Sequence, residues 1–355
     1  MKRIQDVDVE NKKVLLRVDF NVAVEDGKVK ESFKIAAAKE TVEYLLGKGA
    51  RVAMISHLGR PEGKRNMEFS FSPIVDDVES ILGVKIKFVS DCIGEEVKNS
   101  LNNLEENEVL LLENVRFYEG DEKNEEKFSN QLAEGFDIFV NDSFSASHRD
   151  HASVTGVMKF LDSYAGLRLQ KEVEEMSKIK NSFEKPAVAI IGGAKIETKL
   201  PVIKFFEQIY DYVLVGGKIA NEAIDQKIEF SEKVILPVDF IDDPVKSLRD
   251  HGASRLDIGL ETTEKFKDII SSAKTIVWNG PMGKFEEEKY AGGTNEIFKA
   301  IIGSSAYTLV GGGETLEILE RNNAMDKVDF VSTGGGAMLE YLGGGKMPGI
   351  ESLNH

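Results

Sequence analysis

Three of the five histidines, His57, His148 and His151, lie within three residues of Arg60 or Arg149. Asp19 with Asn21, and Glu113 with Asn114 and Arg116, make two further polar groups. Arginine forks hold phosphate and carboxylate oxygens in two-point fashion, so a basic pocket of this composition suits a small polyanion. Any one of these residues, taken singly, is most simply a surface residue or a helix cap. Four groups following four apolar runs argue instead for a binding pocket.

The second half carries a different signature. Gly192-Gly193, Gly216-Gly217, Gly311-Gly312-Gly313 and Gly334-Gly335-Gly336 each follow an apolar run. Glycine lets a backbone approach a phosphate closely, and the free amides of a helix start complement its charge. Lys195 and Lys199 follow the first pair within reach of such a phosphate. One glycine pair is usually a tight turn; the set points to a nucleotide site.

The elements that must position these residues can be read from periodicity. Short, apolar, β-branched runs at 14–20, 52–56, 109–112 and 138–141 alternate with helical patterns at 34–46, 73–82 and 125–134. The pattern resumes with strand runs at 187–191, 212–215, 275–278, 307–310 and 329–332. Strands separated by helices predict parallel sheets covered on both faces, with ligands beyond the carboxyl ends of the strands. Residues 167–181 are charged with apolar positions at helical spacing. This segment is either a helix joining two doubly wound domains or one more surface helix of a single large sheet.

Composition narrows the class. The chain has 355 residues, more readily two domains than one. A formal charge of −16 speaks against a general nucleic-acid or anionic-membrane binder. A single cysteine, Cys92, excludes an internal disulfide and a thiolate zinc site. With neither a signal-peptide core nor a membrane-length apolar run, a soluble cytoplasmic protein is expected. No Walker loop and no G-x-G-x-x-G occurs. His148-Arg149-Asp150 imitates a protein-kinase catalytic loop, but Thr155 stands where that loop needs asparagine.

Taken together, the segments closely resemble phosphoglycerate kinases. The matching runs are Arg17-Val-Asp-Phe-Asn21, Ser56-His-Leu-Gly-Arg-Pro61, Leu112-Glu-Asn-Val-Arg-Phe-Tyr118, His148-Arg149 with His151, Gly192-Gly-Ala-Lys195 with Lys199, Trp278-Asn-Gly-Pro-Met-Gly283, Gly311-Gly-Gly313 and Ser332-Thr-Gly-Gly-Gly-Ala337. They span nearly the whole chain in the family's order.

The resemblance implies an α/β fold of two doubly wound, Rossmann-like domains joined by a helix and hinge. Residues 1–166 would bind phosphoglycerate, 167–181 would form the interdomain helix, and 182–345 would bind nucleotide. Residues 346–355 would pack back on the first domain. The implied reaction is reversible phosphoryl transfer between 1,3-bisphosphoglycerate and ADP, giving 3-phosphoglycerate and ATP, with magnesium, hinge closure and a monomeric enzyme. By motif, Asp19, Asn21, Lys34, His57, Arg60, Arg116 and Arg149 would hold the phosphoglycerate. Gly193, Ala194, Lys195, Lys199, Gly217, Asn279, Pro281, Glu286, Gly311, Gly312, Gly313, Glu314 and Thr315 would hold the nucleotide. Lys34, Lys199, Gly312 and Gly335 would act on the phosphoryl group, and Glu314 would serve the metal.

Four departures from the family's pattern stand out. Lys34 occupies the place of an arginine, Glu314 that of an aspartate, and Lys218 that of a glycine; Ser145-Ala-Ser147 alters the run before His148. The chain is also shorter than usual for the family. An alternative reading is a catalytically weakened relative that binds nucleotide or phosphoglycerate; another is a kinase of a different small carboxylate.

Overall fold

The computed structural model describes residues 1–242 and 255–354. The chain divides into two units, one formed by Met1–Val173 together with the residues from Lys346 onward, the other by Glu174–Gly345. The division falls inside one helix, Leu167–Asn181.

The first unit is built on six parallel strands. Across the sheet they run Lys85–Val89, Glu108–Leu112, Arg51–Ile55, Lys13–Arg17, Ile138–Asn141 and Asp162–Ala165. Side chains of successive strand residues point to opposite faces, so an all-apolar strand needs a core on each side. Both cores are present. Leu16, Met54 and Leu111 lie in one, while Leu15, Ile55, Leu112 and Phe139 lie in the other. Numbered along the chain, the strands lie in the order 3-4-2-1-5-6, so the direction of winding reverses between Lys13–Arg17 and Ile138–Asn141. The chain's last residues complete this unit. The Leu353 carbonyl accepts from the Lys2 amide at 2.9 Å, and that of Gly349 accepts from Asn141 Nδ2 at 3.1 Å.

The second unit repeats the plan. Its strands, Val234–Ile235, Tyr212–Val215, Ala187–Ile191, Thr275–Asn279, Tyr307–Val310 and Phe330–Val331, lie in the order 3-2-1-4-5-6. That is the doubly wound order with its reversal between Ala187–Ile191 and Thr275–Asn279. All five residues of each of these two central strands are buried.

Several expected elements change extent. The strand expected over 14–20 ends at Arg17: the Val18 amide still donates to Ile55 O on the neighbouring strand, and the parallel pairing stops there. The helix expected over 34–46 is two pieces, Phe33–Ala36 and Lys39–Gly47, since the Ala38 amide bonds three residues back to Ile35. The strand expected at 329–332 shrinks to Phe330–Val331. Lys85–Val89 and Asp162–Ala165 have no counterpart among the expected strands. The second forms one edge of its sheet and the first the other; Lys85–Val89 interleaves two lysines with its apolar residues and Asp162–Ala165 opens on Asp-Ser, which masks the apolar signal of a buried strand. Among the described residues no helix is long and apolar enough to cross a membrane.

Candidate active site

In the first unit the cationic cluster forms where the winding reverses. The Arg17 guanidinium is 2% exposed. Its Nη1 donates to Val18 O at 2.6 Å and to Ser56 Oγ at 3.3 Å, and its Nη2 lies 3.0 Å from His57 Nδ1. A guanidinium only donates, so Nδ1 accepts and the imidazole proton sits on Nε2. Burial pushes the His57 pKa well below the ordinary histidine value, and Arg17, Arg116, Arg149 and Lys34 push the same way. His57 is therefore a neutral donor. It can hold an anion's oxygen without titrating near neutral pH.

Around it, Arg116 Nη1 donates to Gly59 O at 2.7 Å, and Gly59 N donates to Asn21 Oδ1 at 2.9 Å. Burial lowers the Arg116 pKa to about 10, with Arg149 adding to the effect. Its Nε is buried and has no hydrogen-bond partner, with the Glu122 carboxylate 3.4 Å away. Lys34 Nζ donates to Asn21 O at 3.0 Å and lies 3.5 Å from Asp19 Oδ2. Arg149 is half-buried beside His148, while Arg60 is exposed. Asp19, Asn21, Lys34, His57, Arg116 and Arg149 thus gather at one end of the sheet, with Arg60 at the solvent side of the same loop. Crowded cations of this kind are costly unless an anion neutralises them.

Arg17 escaped the sequence reading as a site residue. The signal was available: an arginine closing the run Val-Leu-Leu at the end of a strand buried on both faces. Replacing Arg17 with methionine should free the His57 Nδ1 and raise its pKa, because one repelling cation and one donor are lost. Nitrogen-15 NMR of the imidazole reads both changes. A wild-type His57 carrying its proton on Nδ1 would refute the assignment.

In the second unit the glycine turns converge on its own reversal point. The Ala187–Ile191 strand runs into Gly192 and Gly193, and Thr275–Asn279 runs into Gly280 and Pro281. Trp278, fully buried, pins the second turn through Nε1 to Gly280 O at 3.0 Å. Thr315 is buried and accepts from Gly280 N at 2.7 Å, so it braces the turn from behind. Lys199, on the helix Ile196–Ile209, donates to Asn279 Oδ1. The other half of that amide, Nδ2, is buried without a partner. It faces the Gly312 turn, where an added Cβ would lie 3.2 Å away. An unspent buried donor beside a lysine and a glycine turn is the inventory of an anion site.

Two helices begin here side by side, Gly313–Arg321 and Gly335–Leu342. Gly312 has φ +107°, and a Cβ on Gly335 would lie 2.4 Å from Gly312 Cα. Only glycine allows both turns this close. Gly335→Ala should therefore displace the Gly312 turn and weaken binding of a phosphate-bearing ligand at least tenfold, measurable by titration calorimetry; unchanged affinity would separate this turn from the anion site.

Beside these turns lies a cavity of about 400 Å³ lined by Gly193, Ala194, Gly217, Pro281, Glu286 and Glu314 among others. Lys218, which stands where the family's pattern has a glycine, also lines it, together with Asn221 and Arg255, which carried no motif to announce them. Lys195 is exposed just before the Ile196–Ile209 helix, and Gly311 is buried under Met338. A larger cavity of about 510 Å³ lies at the opposite, amino end of the same strands, against Lys274, Thr275 and Tyr307. No glycine turn opens onto it.

Burial lowers the Lys199 pKa to about 8, with Glu314 pulling it back up. Partial desolvation raises the Glu314 pKa, against the pull of Lys199 and with Glu286 and Glu317 assisting. Among the described residues no group of three or more His, Cys, Asp or Glu side chains could hold a metal ion. One carboxylate at a phosphate-shaped turn suits magnesium, which keeps several waters and shares its shell with substrate phosphates.

Two doubly wound units, one ending in clustered cations and the other in amide-presenting glycine turns, are the make-up of a two-domain α/β phosphotransferase. A family model described as phosphoglycerate kinase matches residues 4–229 and 220–345. The chain is 40% identical over 386 residues to the phosphoglycerate kinase of Moorella thermoacetica, covering 99% of this chain and 98% of that protein. It is 38% identical to that of Borrelia hermsii, with 99% of each covered. The crystal structure of phosphoglycerate kinase from Pyrococcus horikoshii OT3 superposes with a TM-score of 0.88 at 30% identity, covering 100% of this chain and 98% of that one. That from Coxiella burnetii gives 0.80 at 33%, covering 99% and 98%. The chain belongs to the phosphoglycerate kinase family.

Proposed function

We propose that this protein catalyses reversible transfer of a phosphoryl group between ATP and the carboxylate of 3-phosphoglycerate. The observation that carries the reading is the pairing of two anion sites of different character, one per unit, in a chain matched by the family over nearly its full length. In the direction of ATP use, a carboxylate oxygen of 3-phosphoglycerate attacks the terminal phosphorus. The bond from that phosphorus to the bridging oxygen breaks, and ADP leaves with the electron pair. The attacking carboxylate is already ionised, so no general base is required. Rate comes from alignment and from neutralising the three equatorial oxygens in flight.

On this reading Asp19, Asn21, His57, Arg60, Arg116 and Arg149 hold the phosphoglycerate, with His57 donating through Nε2. Lys34 and Lys199 stabilise the moving phosphoryl group, and the amides at Gly312, Gly313 and Gly335 meet phosphate oxygens. Gly193, Ala194, Gly217, Pro281 and Glu286 line the nucleoside's cavity, with Lys195, Asn279 and Gly311 on its phosphate side. Magnesium bound to the nucleotide phosphates, with Glu314 as protein ligand, would neutralise charge on the leaving diphosphate. The two ligands are held by different units, so transfer requires closure that brings them together. The protein works as a cytoplasmic monomer, without nucleic acid or membrane.

A coupled assay with 3-phosphoglycerate and Mg-ATP tests the reading. Nucleotide binding without turnover across a range of pH and magnesium would overturn it. Small-angle scattering should show compaction only when both ligands are present. Glu314→Asp should keep activity, whereas Glu314→Gln should lower kcat and raise the magnesium concentration for half-maximal rate several-fold. Wild-type magnesium dependence in Glu314→Gln would take this residue out of the metal site.

A further inference from the structure

Lys34 poses a positioning problem. Its ammonium is a point charge on a flexible four-carbon stem, with no planar fork to set its direction. One acceptor and one counter-charge hold it, Asn21 O at 3.0 Å and the Asp19 carboxylate, whose Oδ2 is 3.5 Å away. The second is useful only if the Asp19 carboxylate is itself fixed. Its Oδ1 accepts from the Asn21 amide at 3.1 Å, and its Oδ2 accepts from the Ser145 hydroxyl at 2.5 Å. A hydroxyl at that distance from a carboxylate oxygen is a strong charge-assisted bond.

We propose that Ser145 is a positioning residue for the reaction: its hydroxyl orients Asp19, and the Asp19 carboxylate in turn holds the Lys34 ammonium in the cationic pocket. A serine with a purely local role would bond its own turn. This one reaches a carboxylate 126 residues away in the chain. It is also braced. Ser145 Oγ lies 3.2 Å from Ser143 Oγ, and the Ser143 amide donates to Asn141 Oδ1 at 3.2 Å. Asn141 Nδ2 donates to Ser147 Oγ at 3.0 Å, and Ser147 Oγ donates to Ser143 O at 2.8 Å. Asn141, Ser143 and Ser147 are fully buried, so the turn carrying Ser145 has little freedom to drift. Asp19 is itself only 5% exposed. Without the serine, its Oδ2 would lose this neutral donor, and the carboxylate could turn away from Lys34.

The inference rests on the kinase reading above and is tested by a double-mutant cycle in steady-state turnover. Ser145→Ala should lower kcat roughly 5- to 20-fold, less than the loss expected from removing Lys34 itself because the ammonium is displaced rather than deleted, while KM for Mg-ATP stays unchanged. In a Lys34→Ala background the same change should cost less than about twofold, since there is no ammonium left to place. Ser145→Thr should restore most of the rate. Equal losses in both backgrounds, or no loss in the first, would overturn the proposal. Ser145→Gly is read in the same way if the alanine variant proves unstable by thermal melting. A wild-type protein with no turnover would sink the kinase reading, and the positioning claim is then decided by NMR. With carbon-13-labelled lysine, the Lys34 Cε signal, assigned by its disappearance in Lys34→Arg, should lose order in Ser145→Ala. An unchanged order parameter would overturn the proposal by itself.

Discussion

Lys199→Met should lower kcat by about two to three decades, the usual cost of removing one preorganised donor from a transition-state oxyanion. The side chain is already committed in the structure: Nζ is held by Asn279 Oδ1, on the strand that ends at the glycine turn. The partnerless Asn279 Nδ2 stands beside it, so the substitution removes one donor and leaves another misdirected. The pH dependence follows from the same burial. The free enzyme's amine titrates near 8, against 10.5 for an ordinary lysine. Below about 8 it is a cation; above, it is neutral and a poor partner for phosphate. Thus kcat/KM for Mg-ATP should fall as pH rises through 8, and Lys199→Arg should flatten that limb. Stability has the opposite sign. Between about 8 and 10.5 the unfolded chain binds more protons than the folded one, so unfolding free energy contributed by this group rises with pH across that window. A kcat/KM profile flat from pH 7 to 9 in the wild type would remove Lys199 from the phosphate.

Lys34→Ala is expected to lower kcat roughly 10- to 100-fold, with little change in nucleotide affinity. The range corresponds to about 1.5–3 kcal/mol for a lost charge-assisted hydrogen bond. Lys34 lies on the short helix Phe33–Ala36, near the helix start, where the dipole disfavours a cation. Nothing local therefore keeps a lysine there; its partners are Asn21 O and the Asp19 carboxylate, both on the loop after the first strand. Lys34→Arg supplies the same charge with a fork, and should keep substantial activity. A Lys34→Ala enzyme turning over at the wild-type rate would show that another cation neutralises the phosphoryl group.

How legible the site was depended on the distance over which each feature acts. Glycine turns after apolar runs announce themselves locally, because a positive φ and a close backbone approach are demands on one or two residues. Gly193, Gly217 and Gly312 all have φ between +64° and +112°. The part of the second unit's cavity wall formed by Asn221 and Arg255 was silent, since no spacing rule marks a residue that lines a cavity from a neighbouring helix and strand. Edge strands were silent for a related reason. Lys85–Val89 is half solvated, so its lysines interrupt the apolar run.

The amino-acid sequence by itself determined the class of the protein. Alternating strand and helix periods, glycine turns in one half and arginine with histidine in the other are consequences of local chemistry, and they carry the α/β architecture and the two kinds of anion site. Only the tertiary structure decided which of these residues act on one another. Arg17 meets His57 across 40 residues because Lys13–Arg17 pairs in parallel with Arg51–Ile55. Ser145 meets Asp19 across 126 because Ile138–Asn141 flanks that same strand on its other side. Strand order is a property of the assembled sheet. The tautomer of His57 and the direction of Lys34 follow from it, and neither can be read from spacing along the chain.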